Sequence, residues 1–219
     1  MNLVIMGPPG AGKGTAAERI KDAYNLAHIS TGDLLRAAVK AGTDLGLKAQ
    51  GYMNAGKLVP DDVVIGLVER RLAEPDTAKG FMLDGFPRTI PQAEALAEML
   101  ERIGKGLDVV LSLEVDDDVI VRRIAGRLIC PSCGAIYNAD MNPPVNGVCK
   151  CGGSPARRKD DEPEAVKTRL VAYKAQTEPL VRWYADKGLL VGIDAEGTPS
   201  EVFEKVAGVL SKYAGTRQW

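Results

Sequence analysis

Short, largely apolar runs alternate along the chain with longer stretches of helical periodicity. The runs are Leu3-Val4-Ile5-Met6, Leu26-Ala27-His28-Ile29-Ser30, Gly80-Phe81-Met82-Leu83-Asp84, Val109-Val110-Leu111-Ser112-Leu113-Glu114-Val115 and Leu189-Leu190-Val191-Gly192-Ile193-Asp194. They are too short for helices and too uniformly apolar for strands with one wet face, so they predict five strands buried on both sides. Helical patterns fill the gaps at 15–24, 63–72, 91–102 and 199–213, with a single long helix expected over 163–187. In 91–102 the apolar face is Ala93, Leu96, Ala97 and Leu100. Asp116-Asp117-Asp118 forms an acidic first turn after the fourth strand, suited to a helix N-terminus. The fold class expected is α/β, a five-stranded parallel doubly wound sheet with helices on both faces.

Two stretches interrupt this rhythm. Ser30-Thr31-Gly32-Asp33-Leu34-Leu35-Arg36 is a cap-rich turn opening a small helical region that runs to Gly56, a first insertion. From Leu128 to Pro155 the composition turns to Cys, Pro, Gly and Asn, a second insertion that folds separately. With 219 residues and 45% hydrophobic content, one sizeable core is affordable beside both. No apolar run approaches membrane-span length and the N-terminus enters a strand at once, so a cytoplasmic protein is expected. A formal charge of −1 gives no global field for nucleic acid or anionic lipid. His28, the one histidine, reads as structural.

Candidate chemistry centres on Gly7-Pro8-Pro9-Gly10-Ala11-Gly12-Lys13-Gly14-Thr15, directly after the first strand. Glycines let backbone N–H groups curl round an anion, a helix N-terminus adds partial positive charge, and Lys13 supplies an ammonium. This is Walker A spacing, and the fold type is that of a P-loop NTPase. Gly14 stands where the usual pattern has Ser or Thr, with Thr15 one place later, which leaves direct Mg²⁺ ligation by that hydroxyl open. Asp84, at the end of a core strand, is suited to hold Mg²⁺ through water. Gln92 could offer its amide to a base edge. Arg123 and Arg127, four apart, are expected to share a helix face and need an anion between them.

All four cysteines fall in the second insertion. Cys130-Pro131-Ser132-Cys133-Gly134 is a metal knuckle, and Cys149-Lys150-Cys151-Gly152-Gly153 follows after fifteen residues. Four thiolates predict a structural, tetrahedral zinc, with a disulfide or idle thiols as the alternatives. The one-residue gap of the second pair is shorter than usual, so iron or cobalt could also be tolerated.

Together these motifs resemble adenylate kinase of the long bacterial type with a metal-binding lid. The residues that carry the likeness are Gly7 to Thr15, Ser30-Thr31-Gly32-Asp33 with Arg36, Asp84-Gly85-Phe86-Pro87-Arg88, and Arg158-Lys159-Asp160-Asp161. The resemblance implies a core of 1–29, 60–121 and 159–219, an AMP-binding arm of 30–59 and a lid of 122–158, with hinges near Gly126 and Lys159. It implies reversible Mg²⁺-dependent transfer, ATP + AMP ⇌ 2 ADP, by a monomer without nucleic-acid or membrane partners. Lys13, Arg88, Arg123, Arg158 and Arg169 would be catalytic. ATP would lie against Gly10, Ala11, Gly12, Lys13, Gly14, Thr15, Arg123, Arg127, Tyr137 and Gly197. AMP would lie against Thr31, Arg36, Lys57, Val59, Gly85, Arg88, Gln92, Arg158 and Arg169. The metal ligands would be Cys130, Cys133, Cys149 and Cys151. A uridylate/cytidylate kinase is the rival enzyme reading, disfavoured by Thr31. A nucleotide-switched binding protein is the rival from another class, disfavoured because 128–155 carries only Lys150 as a basic side chain.

Overall fold

The computed structural model describes residues 1–214; residues 215–219, and the side chain of Lys159 in the expected hinge, lie outside the described residues. Five strands form one parallel sheet: β1 (Asn2–Met6), β2 (Ala27–Ser30), β3 (Phe81–Asp84), β4 (Val109–Glu114) and, last in the chain, β7 (Leu190–Asp194). Their order is β2-β3-β1-β4-β7. Leu3 of β1 lies opposite Met82 on one side and Val109 on the other. The chain therefore reverses its winding at β1, whose carboxyl end opens into a crevice of the kind that binds ligands in such sheets.

Because side chains alternate across a strand, each strand feeds two cores. Val4, Phe81, Leu83 and Val110 pack on one face with α4 (Asp61–Leu72), α5 (Ile90–Arg102) and α8 (Pro179–Asp186), burying Val68, Leu96, Leu100 and Leu180. Leu3, Ile5, Met82 and Leu111 pack on the other with α1 (Lys13–Tyr24) and α9 (Pro199–Leu210), burying Ala17, Ile20, Val206 and Leu210. Each buried Val, Leu, Ile, Phe or Met among these contributes about 1.5–3 kcal/mol relative to exposure.

The first insertion is the helix pair α2 (Thr31–Lys40) and α3 (Asp44–Asn54). Ser30 caps α2, its hydroxyl accepting from the Asp33 N–H, and Thr43 caps α3 in the same way. The second insertion follows α6 (Asp117–Ala125) and is a small antiparallel hairpin, β5 (Arg127–Ile129) with β6 (Ile136–Asn138).

Two expectations need correction. Arg123 and Arg127 do not share a helix. The helix stops at Ala125 because Asn138 of the hairpin donates to the Arg123 carbonyl at 3.1 Å, and Ala139 N–H takes the Gly126 carbonyl at 2.7 Å. Arg127 thus opens β5. The expected helix over 163–187 is also not uniform. It consists of α7 (Pro163–Ala172), a π-helical turn over Tyr173–Thr177, and α8. Pro179 has no N–H to continue the ladder, and the Glu178 N–H bonds back to Tyr173, five residues earlier, at 2.9 Å.

Candidate active site

At the carboxyl ends of β1 and β3 lies a cleft of about 410 Å³, bordered by the phosphate loop, α2, the hairpin and α7. Every residue expected to touch nucleotide or Mg²⁺, from Gly10 to Gly197, lines this single cleft. The cysteines lie apart from it, at the hairpin's far end.

The floor is the phosphate loop. Gly12 caps α1 in the left-handed conformation, φ 94°, which only glycine adopts without strain. Lys13 is drawn back so that its Nζ donates to the carbonyls of Gly7 and Pro8 at 2.7 and 2.9 Å. At Gly14 a Cβ would lie 3.0 Å from the Ile136 side chain of the hairpin, which folds over the loop, so a larger residue there would require Ile136 to shift. Asp84 stands beside the loop at the end of β3, 3.5 Å from His28 Nε2, within ion-pair range but without hydrogen-bond alignment.

On the α2 side, the Thr31 hydroxyl donates to the Gly85 carbonyl at 2.8 Å, and Arg88 Nε donates to the same oxygen at 2.8 Å. Thr177, in the π-helical turn, donates to the Arg88 carbonyl at 2.9 Å. Gln92 is 2% exposed and spans two partners: its Oε1 accepts from the Arg88 N–H at 2.8 Å, and its Nε2 donates to Asp61 at 2.6 Å. Arg36 pairs with Asp33 at 2.6 Å.

Across the loop, Arg123 donates to the carbonyls of Ala195 and Gly197 at 2.9 and 3.2 Å. Arg127 forms a two-pronged pair with Asp161, whose side chain is 2% exposed. Arg169 reaches both Asp160 and Asp161 at 3.1 Å. Arg158 has no such satisfaction, and its buried Nε finds no partner among the described residues.

The cleft's electrostatics point to a polyanion. Lys13, Arg36, Lys57, Arg88, Arg123, Arg127, Arg158 and Arg169 line it against only Asp33, Asp84 and Asp160. Burial lowers Lys13 to about 7, with Asp84 opposing and Arg88, Arg169 and Arg127 adding to the fall. Arg88 is brought to about 10 by burial and then by Arg169, and Arg158 to about 10 by burial and then by Arg36 and Arg127. Cations crowded this tightly repel each other until negative charge arrives.

In the hairpin, the four Sγ atoms lie within 4.8 Å of one another. The Cys130–Cys151 and Cys133–Cys149 pairs are each 3.5 Å apart, and Cys149–Cys151 is 3.6 Å. A tetrahedron with metal–sulfur bonds of about 2.3 Å has edges of about 3.8 Å, so the donor set fits one metal ion despite the shortened second pair. The turn closes because Gly153 lets the chain approach: a Cβ there would lie 2.7 Å from Cys130 Sγ. Backbone N–H groups reach the sulfurs, and Cys149 is lowered to about 6, first by the Cys151 N–H and then by the Tyr137 hydroxyl. Tyr137 thereby links the cluster to the cleft it also lines.

Asp61 and Thr177 were not legible as site residues. Asp61 follows Pro60 and reads as an ordinary helix start, and Thr177 is one threonine in a helical pattern.

Comparison with known proteins agrees with this geometry. A family model described as adenylate kinase matches residues 5–189. The chain is 55% identical over 216 residues to an adenylate kinase of Methanosarcina barkeri, covering 98% of this chain and 100% of that one. It is 53% identical over 214 residues to that of Carboxydothermus hydrogenoformans, with 97% and 100% covered. For the adenylate kinase of Bacillus licheniformis the identity is 51% over 212 residues, with 96% and 98% covered. These relatives do not favour a uridylate/cytidylate kinase. A phosphate loop at the floor of a cation-lined cleft, a four-cysteine hairpin above it and this full-length likeness lead to one assignment: the chain belongs to the adenylate kinase family.

Proposed function

We propose that this chain catalyses ATP + AMP ⇌ 2 ADP, with two nucleotides meeting across the phosphate loop. The observation that carries the reading is the set of eight basic side chains around one loop, in a chain whose net charge is −1. Phosphoryl transfer spreads charge over equatorial oxygens, so positioned cations can supply most of the catalysis. ATP phosphates would lie on the loop's N–H groups and on Lys13, facing Arg123 and Arg127. The AMP phosphate would lie between Arg36 and Arg88, its base against Thr31, Gly85, Gln92, Lys57 and Val59. Arg158 and Arg169 would grip the group in flight. No general base is needed, because a phosphate acceptor is already anionic.

Mg²⁺ bound with ATP would neutralise phosphate oxygens, and Asp84 is suited to hold it through water. The four-cysteine set is read as a structural zinc site, since saturated coordination leaves no open position for catalysis. One chain's residues complete the cleft, which supports a monomer. Four thiols grouped for a metal stay reduced in a cytosol. Helices α2 and α3 are read as the AMP-binding arm and the hairpin as the lid, both closing to exclude water from the γ-phosphate.

A coupled assay pairing ATP with AMP, CMP, UMP and GMP tests the reading, with AMP expected to be the best acceptor. Lys13→Ala should lower turnover by on the order of 10²-fold or more, with the melting temperature little changed. Near-normal turnover in that variant would refute the site assignment.

A further inference from the structure

Gln92 is a reader whose orientation matters. A primary amide presents a donor and an acceptor that exchange places when the group flips by about 180°. Adenine offers an amino donor beside a ring-nitrogen acceptor. Hypoxanthine, of the same size, offers a keto acceptor beside a ring N–H donor. A carboxamide free to flip serves both, whereas a fixed one discriminates.

Here the partners dictate the orientation. The Arg88 backbone N–H can only donate, so the atom 2.8 Å from it is Oε1. The Asp61 carboxylate can only accept, so the atom 2.6 Å from it is Nε2. The carboxylate is itself anchored, because its other oxygen accepts from the Thr89 hydroxyl at 2.9 Å. Thr89 is in turn the N-cap of α5, its oxygen accepting from the Gln92 N–H at 3.3 Å. Flipping the amide would set two donors face to face at Arg88 and an amide oxygen against a carboxylate at Asp61. Gln92 is 2% exposed, so little water is at hand to relieve either clash. Each end of the amide still keeps one unused site, a lone pair on Oε1 and an N–H on Nε2, for a base.

We propose that Asp61 is a positioning residue for acceptor selection: together with the Arg88 N–H it holds Gln92 in one flip state, so that the cleft takes a base with an amino group beside a ring-nitrogen acceptor and rejects the keto counterpart. The proposal rests on the reading that Gln92 faces the acceptor base. Asp61 does not line the cleft and reaches it through Gln92.

The test compares AMP with IMP as acceptors in full-length wild type, Asp61→Asn, Asp61→Ser and Gln92→Ala, each checked for an intact melt. Asn and Ser at position 61 can both donate and accept, so the flip is then opposed by the Arg88 N–H alone and not by both ends of the amide. Both should lower the AMP-to-IMP ratio of kcat/KM by on the order of tenfold, mainly by improving IMP relative to AMP. A merely structural role would depress both acceptors alike, and that result would overturn the proposal. So would an unchanged ratio in the Asp61 variants while Gln92→Ala collapses it, an outcome that leaves the reading of Gln92 intact. If Gln92→Ala itself left the ratio unchanged, the reading of Gln92 would fall and the proposal with it. Should Asp61→Asn fold poorly, Asp61→Ser and the relative affinities for AMP and IMP by calorimetry carry the same decision.

Discussion

The sheet and the cysteine hairpin are held together by different physics. Around the sheet, side chains such as Leu3, Ile5, Leu83, Leu96 and Leu111 are 0% exposed and pack in two continuous layers. Between Arg127 and Arg157 the only buried apolar residues are Cys130 and Cys149, while Met141, Val145 and Val148 stand out in solvent. A segment this small cannot bury enough surface to offset its chain entropy, so a metal held by the four sulfurs would take the place of a core. The contrast predicts independence: a hairpin that loosens should leave the sheet undisturbed.

The strongest way to break the comparison is a cavity in the sheet. Leu96→Ala should cost about 2–5 kcal/mol and lower the melting temperature by on the order of 10 °C, because the surrounding helices cannot collapse into the space. Differential scanning calorimetry reads this directly. A shift within 1 °C or so would mean the sheet core is not the main source of stability.

Metal removal is the complementary experiment. Chelation should abolish hydrogen-exchange protection at amides between Cys130 and Gly153, while β1, β3 and β4 keep theirs. Equal loss of protection in the sheet would show that the two regions are one cooperative unit.

Between the two regions lies the cleft, where burial acts on charge instead of on hydrocarbon. Lys13 falls from its ordinary 10.5 to about 7 in the unliganded fold. A lysine depressed on folding destabilises most below about 7, where the ammonium must stay charged and enclosed. Its penalty shrinks as pH rises from about 7 to 10.5, since the folded state then binds fewer protons than the unfolded. Bound polyphosphate restores the charge. ATP binding near pH 8 should therefore take up a proton, and affinity should weaken by up to about tenfold per pH unit above that point. Calorimetry in buffers of different ionisation enthalpy measures the uptake, and Lys13→Met should remove it. Uptake that persists in Lys13→Met would assign the proton elsewhere.

The smallest effect expected is at Val145, 78% exposed in the hairpin. Val145→Ser should change stability by less than about 0.5 kcal/mol by chemical denaturation. A larger loss would reveal an apolar contribution to the hairpin and blur the contrast with the sheet.

Much of this architecture is local information. Strands buried on both faces must be short and apolar, a phosphate loop must carry glycines where the backbone turns left-handed, and metal ligands must come in close pairs. Those constraints act within a few residues, so the five strands, the phosphate loop and the cysteine set could be read from the chain as written. The strand order, the Gly126 break that moves Arg127 onto β5, and the π-helical turn that brings Thr177 under Arg88 depend on contacts between residues far apart in sequence. Asp61 is the clearest case. As a sequence letter it is a helix-start aspartate, and only the packing of α4 against α5 sets its carboxylate 2.6 Å from Gln92. A side-chain amide has no preferred flip state of its own, and its orientation is decided by the neighbours the tertiary fold supplies.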